Sequence, residues 1–157
     1  MHTLYLVSVW LHILAAMTWI GGMIFLVTVL VPMLRQPSMR DRAMELFGEL
    51  GVRFRRVGWI ALGTLVVTGT FNVLHRGFTL GQLFNGEAYQ GTWGHALGGK
   101  LILVALILLS SAIHDFYVGP KATRLARENA PADHRERLRR AASWLGRVTL
   151  LLALGVV

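Results

Sequence analysis

Histidine is the residue whose type and placement can do chemistry in this chain. His12 heads an apolar run, LHILAAMTWIGGMIFLVTVLVP at residues 11–32; His75 closes a second run, and His95 and His114 sit at the two ends of a third. Ionisable groups inside or at the rim of apolar segments are costly to keep there and mark functional sites by default. Imidazoles on separate helices suit axial ligation of a b-type haem, and a helical core supplies the apolar slot a porphyrin needs. His12 and His75 are the axial-ligand candidates, with His95 as substitute for either. Arg76 and Lys100 are the cations for the two propionates. His114, followed by Asp115, is a candidate for a second haem or a proton relay. Copper is the alternative metal, because imidazole and thioether both suit it, with Met17 as the added ligand. Met17 and Met23 otherwise read as core filler, and single histidines at a membrane rim as interfacial hydrogen-bonders.

The elements that must carry these residues are membrane helices. Of the 157 residues 54% are hydrophobic and only 15% charged, a balance outside that of ordinary soluble domains. A bilayer core of ~30 Å takes about 20 apolar residues in a helix. Four segments approach this: residues 3–34, 57–74, 96–118 and 141–157. The expected fold is all-α, a polytopic membrane four-helix bundle in a single domain over residues 1–157. No cysteine is present, which excludes disulfides, thiolate metal sites and redox thiols. The N-terminus has no basic stretch ahead of its long apolar run, so it is expected to remain as the first span rather than leave as a signal peptide.

Charge placement gives the topology. Of sixteen Lys and Arg, six fall in residues 35–56 and eight in residues 121–147, leaving Arg76 and Lys100 beside the middle connection. The positive-inside rule puts the first and third connections in the cytoplasm, with both termini outside. The net charge of +8 is thereby assigned to anionic lipid headgroups rather than nucleic acid. In the first connection Ala43, Leu46, Phe47 and Leu50 recur at helical spacing, with Arg40, Arg42, Glu45 and Glu49 opposite, which predicts a short amphipathic helix at the membrane surface. Gly119-Pro120 reads as a helix stop, and Asp133 with Glu136 as a capping-type start for the last helix.

On this topology His12, His75 and His95 come to one level, the outer rim of the hydrocarbon, and His114 lies at the inner rim. Thr64, Thr68, Asn72 and His75 form one polar stripe, which should turn inward. His12, Ala15, Ala16, Trp19, Gly22 and Met23 share a face of mostly small residues that lets helices approach. Lys100, Val104, Ile107, Ser111 and His114 share another. Gly94 and Gly98 form a GxxxG, a hint of close helix contact. Trp10, Trp93 and Trp144 read as interfacial belt residues. No nucleophile–base triad, phosphate loop or paired-carboxylate site is present in the sequence.

The pattern LHxxxxxxWxGG from Leu11 to Gly22, the basic entry RFRRVGW at Arg53 to Trp59, and KLILVALILLSSAIHDF at Lys100 to Phe116 resemble the CopD family, bacterial inner-membrane proteins associated with copper resistance and uptake. More distantly the same elements resemble the haem-containing HemJ protoporphyrinogen oxidases. That resemblance implies a haem ligand at His12 and a functional lysine at Lys100. The expected function is an integral membrane haem b protein with a redox role, electron-transferring or porphyrin-oxidising. The alternatives are a copper transport or resistance protein using His12, His75, His95 and Met17, and a cofactor-free assembly subunit. A quinone or other redox partner, a homo-oligomer and a bacterial inner-membrane location complete the expectation.

Overall fold

A computed structural model describes residues 2–127 and 131–157, and the side chains of all of these except 40–45, 47, 123, 126, 127, 132 and 135. Every regular element among them is helical. The chain divides into two compact units, Met1–Gly98 and Gly99–Val157, with the boundary inside one continuous helix.

In the first unit, α1 covers His2–Phe25 and passes through a π-helical turn, Leu26–Leu30, into a last α-helical turn, Val31–Leu34. Pro32 explains the widened turn. It has no N–H to return to the carbonyl four residues back, and the preceding Val31 N–H reaches five residues back, to the Leu26 carbonyl. Helices absorb such a mismatch as a single π turn. Pro37–Met39 forms one 3-10 turn, and α2 then runs unbroken over Arg40–His75. The sequence predicted two elements here, a surface helix and a span. They are one rod, because no proline interrupts residues 40–75. Most side chains of the predicted amphipathic face lie outside the described residues.

The connection after α2 is built, not loose. Gly77 and Gly86 take positive φ, the left-handed region where glycine pays no Cβ penalty. Between them α3, Leu80–Asn85, begins with a full capping box: the Gln82 N–H donates to Thr79 Oγ1, and the Thr79 N–H to Gln82 Oε1. A 3-10 turn, Glu87–Tyr89, then leads to α4, Gly91–Ala112. Gly94 and Gly98 receive this turn rather than another helix. A Cβ on Gly94 would lie 2.5 Å from the Tyr89 carbonyl carbon, and one on Gly98 3.4 Å from the Tyr89 ring. The Tyr89 hydroxyl donates to the Leu83 carbonyl at 2.9 Å, closing the loop on itself.

In the second unit, the remainder of α4 enters another π turn, Ile113–Val118, and continues as α5, Gly119–Arg127. Gly119-Pro120 is therefore not a stop. The Gly119 N–H bonds the His114 carbonyl, five residues back, so the proline is carried within the helical path. Finally α6 covers Ala132–Val156. Its start lacks the expected side-chain cap. Pro131 is the N-cap residue, and Glu136 instead accepts from Arg139 and Arg140. In this unit α4 meets α6 through the buried hydroxyls of Ser110 and Thr149, 2.8 Å apart, a polar clasp suited to apolar surroundings.

Three helical stretches among the described residues are long and apolar enough to cross a membrane: His2–Leu34, Gly48–His75 and Gly91–Ala122. The helix expected as a fourth span, α6, differs because its first half carries Asp133, Glu136, Arg137, Arg139 and Arg140, and Arg147 follows within the apolar half. The large residues that α1 and α2 leave exposed, such as Leu14, Met17, Ile60 and Val67, are the surface a span offers to lipid.

Candidate functional site

His12 is placed by the seam between α1 and α2. The two helices run antiparallel: Tyr5 lies on His75, Ser8 and His12 on Thr68, Trp19 on Gly58, and Gly22 on the Phe54 ring. The small-residue face read from the sequence is the face that packs. Ala15 and Met23 are buried along it, and Trp19 is only 5% exposed. Gly69 admits the His12 ring, since a Cβ there would stand 3.3 Å from His12 Cε1.

His12 Nδ1 lies 2.8 Å from Thr68 Oγ1, and Thr68 Oγ1 lies 2.6 Å from the Thr64 carbonyl. A threonine hydroxyl has one hydrogen. With that hydrogen donated to the Thr64 carbonyl, Thr68 Oγ1 accepts from His12, which puts the ring proton on Nδ1. The network thus selects the tautomer whose lone pair is on Nε2. An imidazole whose second nitrogen donates to a fixed oxygen is the arrangement that orients metal-ligating histidines. Thr64 and Thr68 were legible as members of a polar stripe; that Thr68 is the partner of His12 needed the register of the seam.

His75 is held differently. Its ring stacks on Tyr5, with centroids 4.6 Å apart and 16° between planes, and on Phe71 at 6.1 Å. It is exposed, at the end of α2. Thr68, which marks the level of His12, precedes His75 by seven residues, so the two histidines differ in level by about 10 Å along α2 at ~1.5 Å per residue. Two imidazoles on one metal ion stand about 4 Å apart, twice a bond of about 2 Å. The structure does not bring His12 and His75 together in that way. Between their levels, Asn72 Oδ1 is buried with no hydrogen-bond partner, a debt of about 1–3 kcal/mol.

At the same end of α2, the Arg76 guanidinium sits 5.8 Å from the Trp93 ring centroid, and Trp93 stacks on Phe78 at 4.7 Å. The stack keeps the cation beside the rim of the first unit. His95 is exposed on the first turns of α4, while its neighbours Gly94 and Leu97 are buried. Met17 is 66% exposed, away from the seam that buries Met23.

In the second unit Lys100 is exposed, and His114 lies on the π turn. His114 Nδ1 is 2.9 Å from Asp115 Oδ1, with the side chains 38% and 22% exposed. Among the described residues no three His, Cys, Asp or Glu gather as a metal-binding set.

Comparison with known proteins supplies the family. The model of the CopD family, copper resistance protein D, matches residues 48–157, which include His75, Arg76, His95, Lys100 and His114. A protein of Aquifex aeolicus (strain VF5), described as "Uncharacterized protein", is 32% identical over 149 residues, covering 94% of this chain and 86% of that one. No solved structure matches the chain. With the family model covering well over half of its length and three apolar helices long enough to span a bilayer, the chain is a membrane protein that belongs to the CopD family.

Proposed function

We propose that this CopD-family protein binds haem b through His12 Nε2 and serves a redox role, electron-transferring or porphyrin-oxidising, in a bacterial inner membrane. In this reading both termini face outward and the apolar half of α6 completes four spans. The observation that carries it is the relay from His12 Nδ1 to Thr68 Oγ1 to the Thr64 carbonyl, at 2.8 and 2.6 Å. It fixes the tautomer and orientation of one imidazole at the seam of an apolar helix pair.

The donor set fits a haem better than a bare metal ion. A porphyrin brings four nitrogen donors of its own and asks the protein for axial ligands only. A copper ion asks for several convergent side chains, and among the described residues no three His, Cys, Asp or Glu gather. When bound, the haem supplies one-electron chemistry. His12 holds and orients it, Thr68 fixes the tautomer and strengthens the ligand, and Arg76 offers a propionate its charge at the rim. The apolar seam partly shields the His12–Thr68 hydrogen bond from water, which strengthens it.

Copper handling is the second reading, favoured by the family's description as copper resistance protein D. Its candidate ligands are those read from the sequence, His12, His75, His95 and Met17, although the levels of His12 and His75 along α2 differ by about 10 Å. Purified full-length protein separates the two. A Soret band and a haemochrome spectrum, both lost in His12→Ala, are expected. A colourless protein that retains stoichiometric copper after dialysis would replace haem with copper, and a Soret band undiminished in His12→Ala would overturn the ligand assignment.

A further inference from the structure

We propose that α3 is an interfacial helix: its Leu80–Phe84 edge lies among the acyl chains of the bilayer, and its Gln82 side faces water. The inference stands on the membrane assignment of the chain, and neither on the haem reading nor on which side the termini face.

A single exposed phenyl ring carries no message by itself. Here it is part of a pattern, on a fixed frame, at a defined level. At about 100° per residue, Leu80, Leu83 and Phe84 fall on one face of α3, with Gln82 and Asn85 opposite. Phe84 is 89% exposed and Leu80 51%, so the protein leaves the outer edge of that face uncovered.

The frame keeps it so. The capping box of Thr79 and Gln82 locks the start of the helix, and Gly86 at φ 89° ends it. The Tyr89 hydroxyl donates to the Leu83 carbonyl, and Tyr89 is itself seated against Gly94 and Gly98. Asn85 Oδ1 accepts the Glu87 N–H at 3.1 Å. Tied at both ends, α3 is held from rolling Leu80 and Phe84 onto its own chain.

The level follows from the neighbours. α3 connects two stretches long and apolar enough to span, Gly48–His75 and Gly91–Ala122. Arg76 directly follows the first, with its guanidinium over Trp93, and Trp93 stacks on Phe78. A cation among aromatic rings at the end of a span is the composition of a bilayer interface. Leu80 comes just after Phe78, and the exposed Phe71 and Leu74 of α2 come just before Arg76. Lipid is thus the surrounding that this end of α2 already has. A stable protein partner needs about 1,000 Å² of interface or more, beyond what one edge of a six-residue helix presents. Acyl chains need no matching surface and take isolated side chains.

The chain has no cysteine, so a nitroxide can be placed at single introduced ones. Full-length Phe84→Cys, Leu80→Cys and Glu87→Cys, each spin-labelled, are reconstituted in vesicles of phosphatidylethanolamine and phosphatidylglycerol. Each label is then tested for collision with oxygen, which concentrates in hydrocarbon, and with a water-soluble nickel chelate, which stays out of it. The oxygen-to-nickel ratio is expected to be several-fold higher in Phe84→Cys and Leu80→Cys than in Glu87→Cys. Equal ratios in all three put the edge in water and overturn the proposal. Weak collision with both reagents in Phe84→Cys puts the edge against a second copy of the chain and overturns it as well. Phe84 is so exposed that its replacement removes little packing, which protects the test from misfolding. Adding Thr79→Ala to Phe84→Cys deletes the cap and should lower the ratio toward that of Glu87→Cys. An unchanged ratio there overturns the part given to the capping box.

Discussion

Thr68 decides which ring nitrogen of His12 carries the proton, so it is the residue to remove without touching the proposed ligand. Thr68→Val keeps the shape of the seam and deletes the acceptor for His12 Nδ1. Loss of such a partner typically weakens metal binding by about 10–100-fold. We expect the variant to purify with a diminished Soret band and to release haem faster to an apo-globin acceptor, at a melting temperature near that of wild type. That His12 is an ionisable ring at the head of an apolar run was legible in the sequence. Its partner was not. Which of Thr64, Thr68 and Asn72 meets it depends on how α1 slides along α2, and no local pattern encodes that offset. The same slide separates His12 from His75, although counting residues from the charged ends had put them at one level. Counting gives depth to within a turn or two; coordination is decided in fractions of an ångström.

The helices themselves were legible from hydropathy, and their punctuation was not. Proline was read as a terminator at 120, and the chain instead widened one turn and went on. The GxxxG at Gly94 and Gly98 was read as a helix contact and proved to be a seat for the 3-10 turn at Glu87–Tyr89. That seat gives a graded prediction. Gly94→Ala places a methyl group 2.5 Å from Tyr89 backbone, where nothing flexible can yield, and overpacking of this kind costs about 1–3 kcal/mol. Gly98→Ala meets only ordinary contact with the Tyr89 ring at 3.4 Å. Thermal unfolding in detergent should show a clear drop in melting temperature for the first variant and little change for the second. The start of α6 carries a pH signature of its own. The Arg140 and Arg139 guanidinium groups hold the Glu136 carboxyl below the usual carboxylate range. A depressed carboxylate pKa stabilises the folded state above the unfolded value, and that contribution fades as pH falls through the lower folded value. Relative to Glu136→Gln, wild type should therefore lose helical circular dichroism as pH falls below about 4. The difference should be small and should shrink with added salt, because the group is on the surface.

For the molecule as a whole, the charge distribution makes a claim about sidedness that the lack of cysteine makes simple to check. Single cysteines introduced by Ser38→Cys and Arg124→Cys should react with a membrane-impermeant maleimide only in inverted vesicles, and Gln82→Cys only in right-side-out cells or spheroplasts. Labelling of Gln82→Cys from the inside would invert the proposed topology. The two π turns bear on this whole-chain order in another way. Each accommodates a surplus residue, so the helix beyond it keeps nearly the phase it would have with one residue fewer. A deletion of Val29 should let an ordinary α turn form while leaving both His12 with its threonine and Leu34, now 2% exposed, in their places. A residue gained or lost at these two points is accordingly taken up within the turn. Natural variants of this protein that gain or lose a residue there should change the neighbouring proline in the same step.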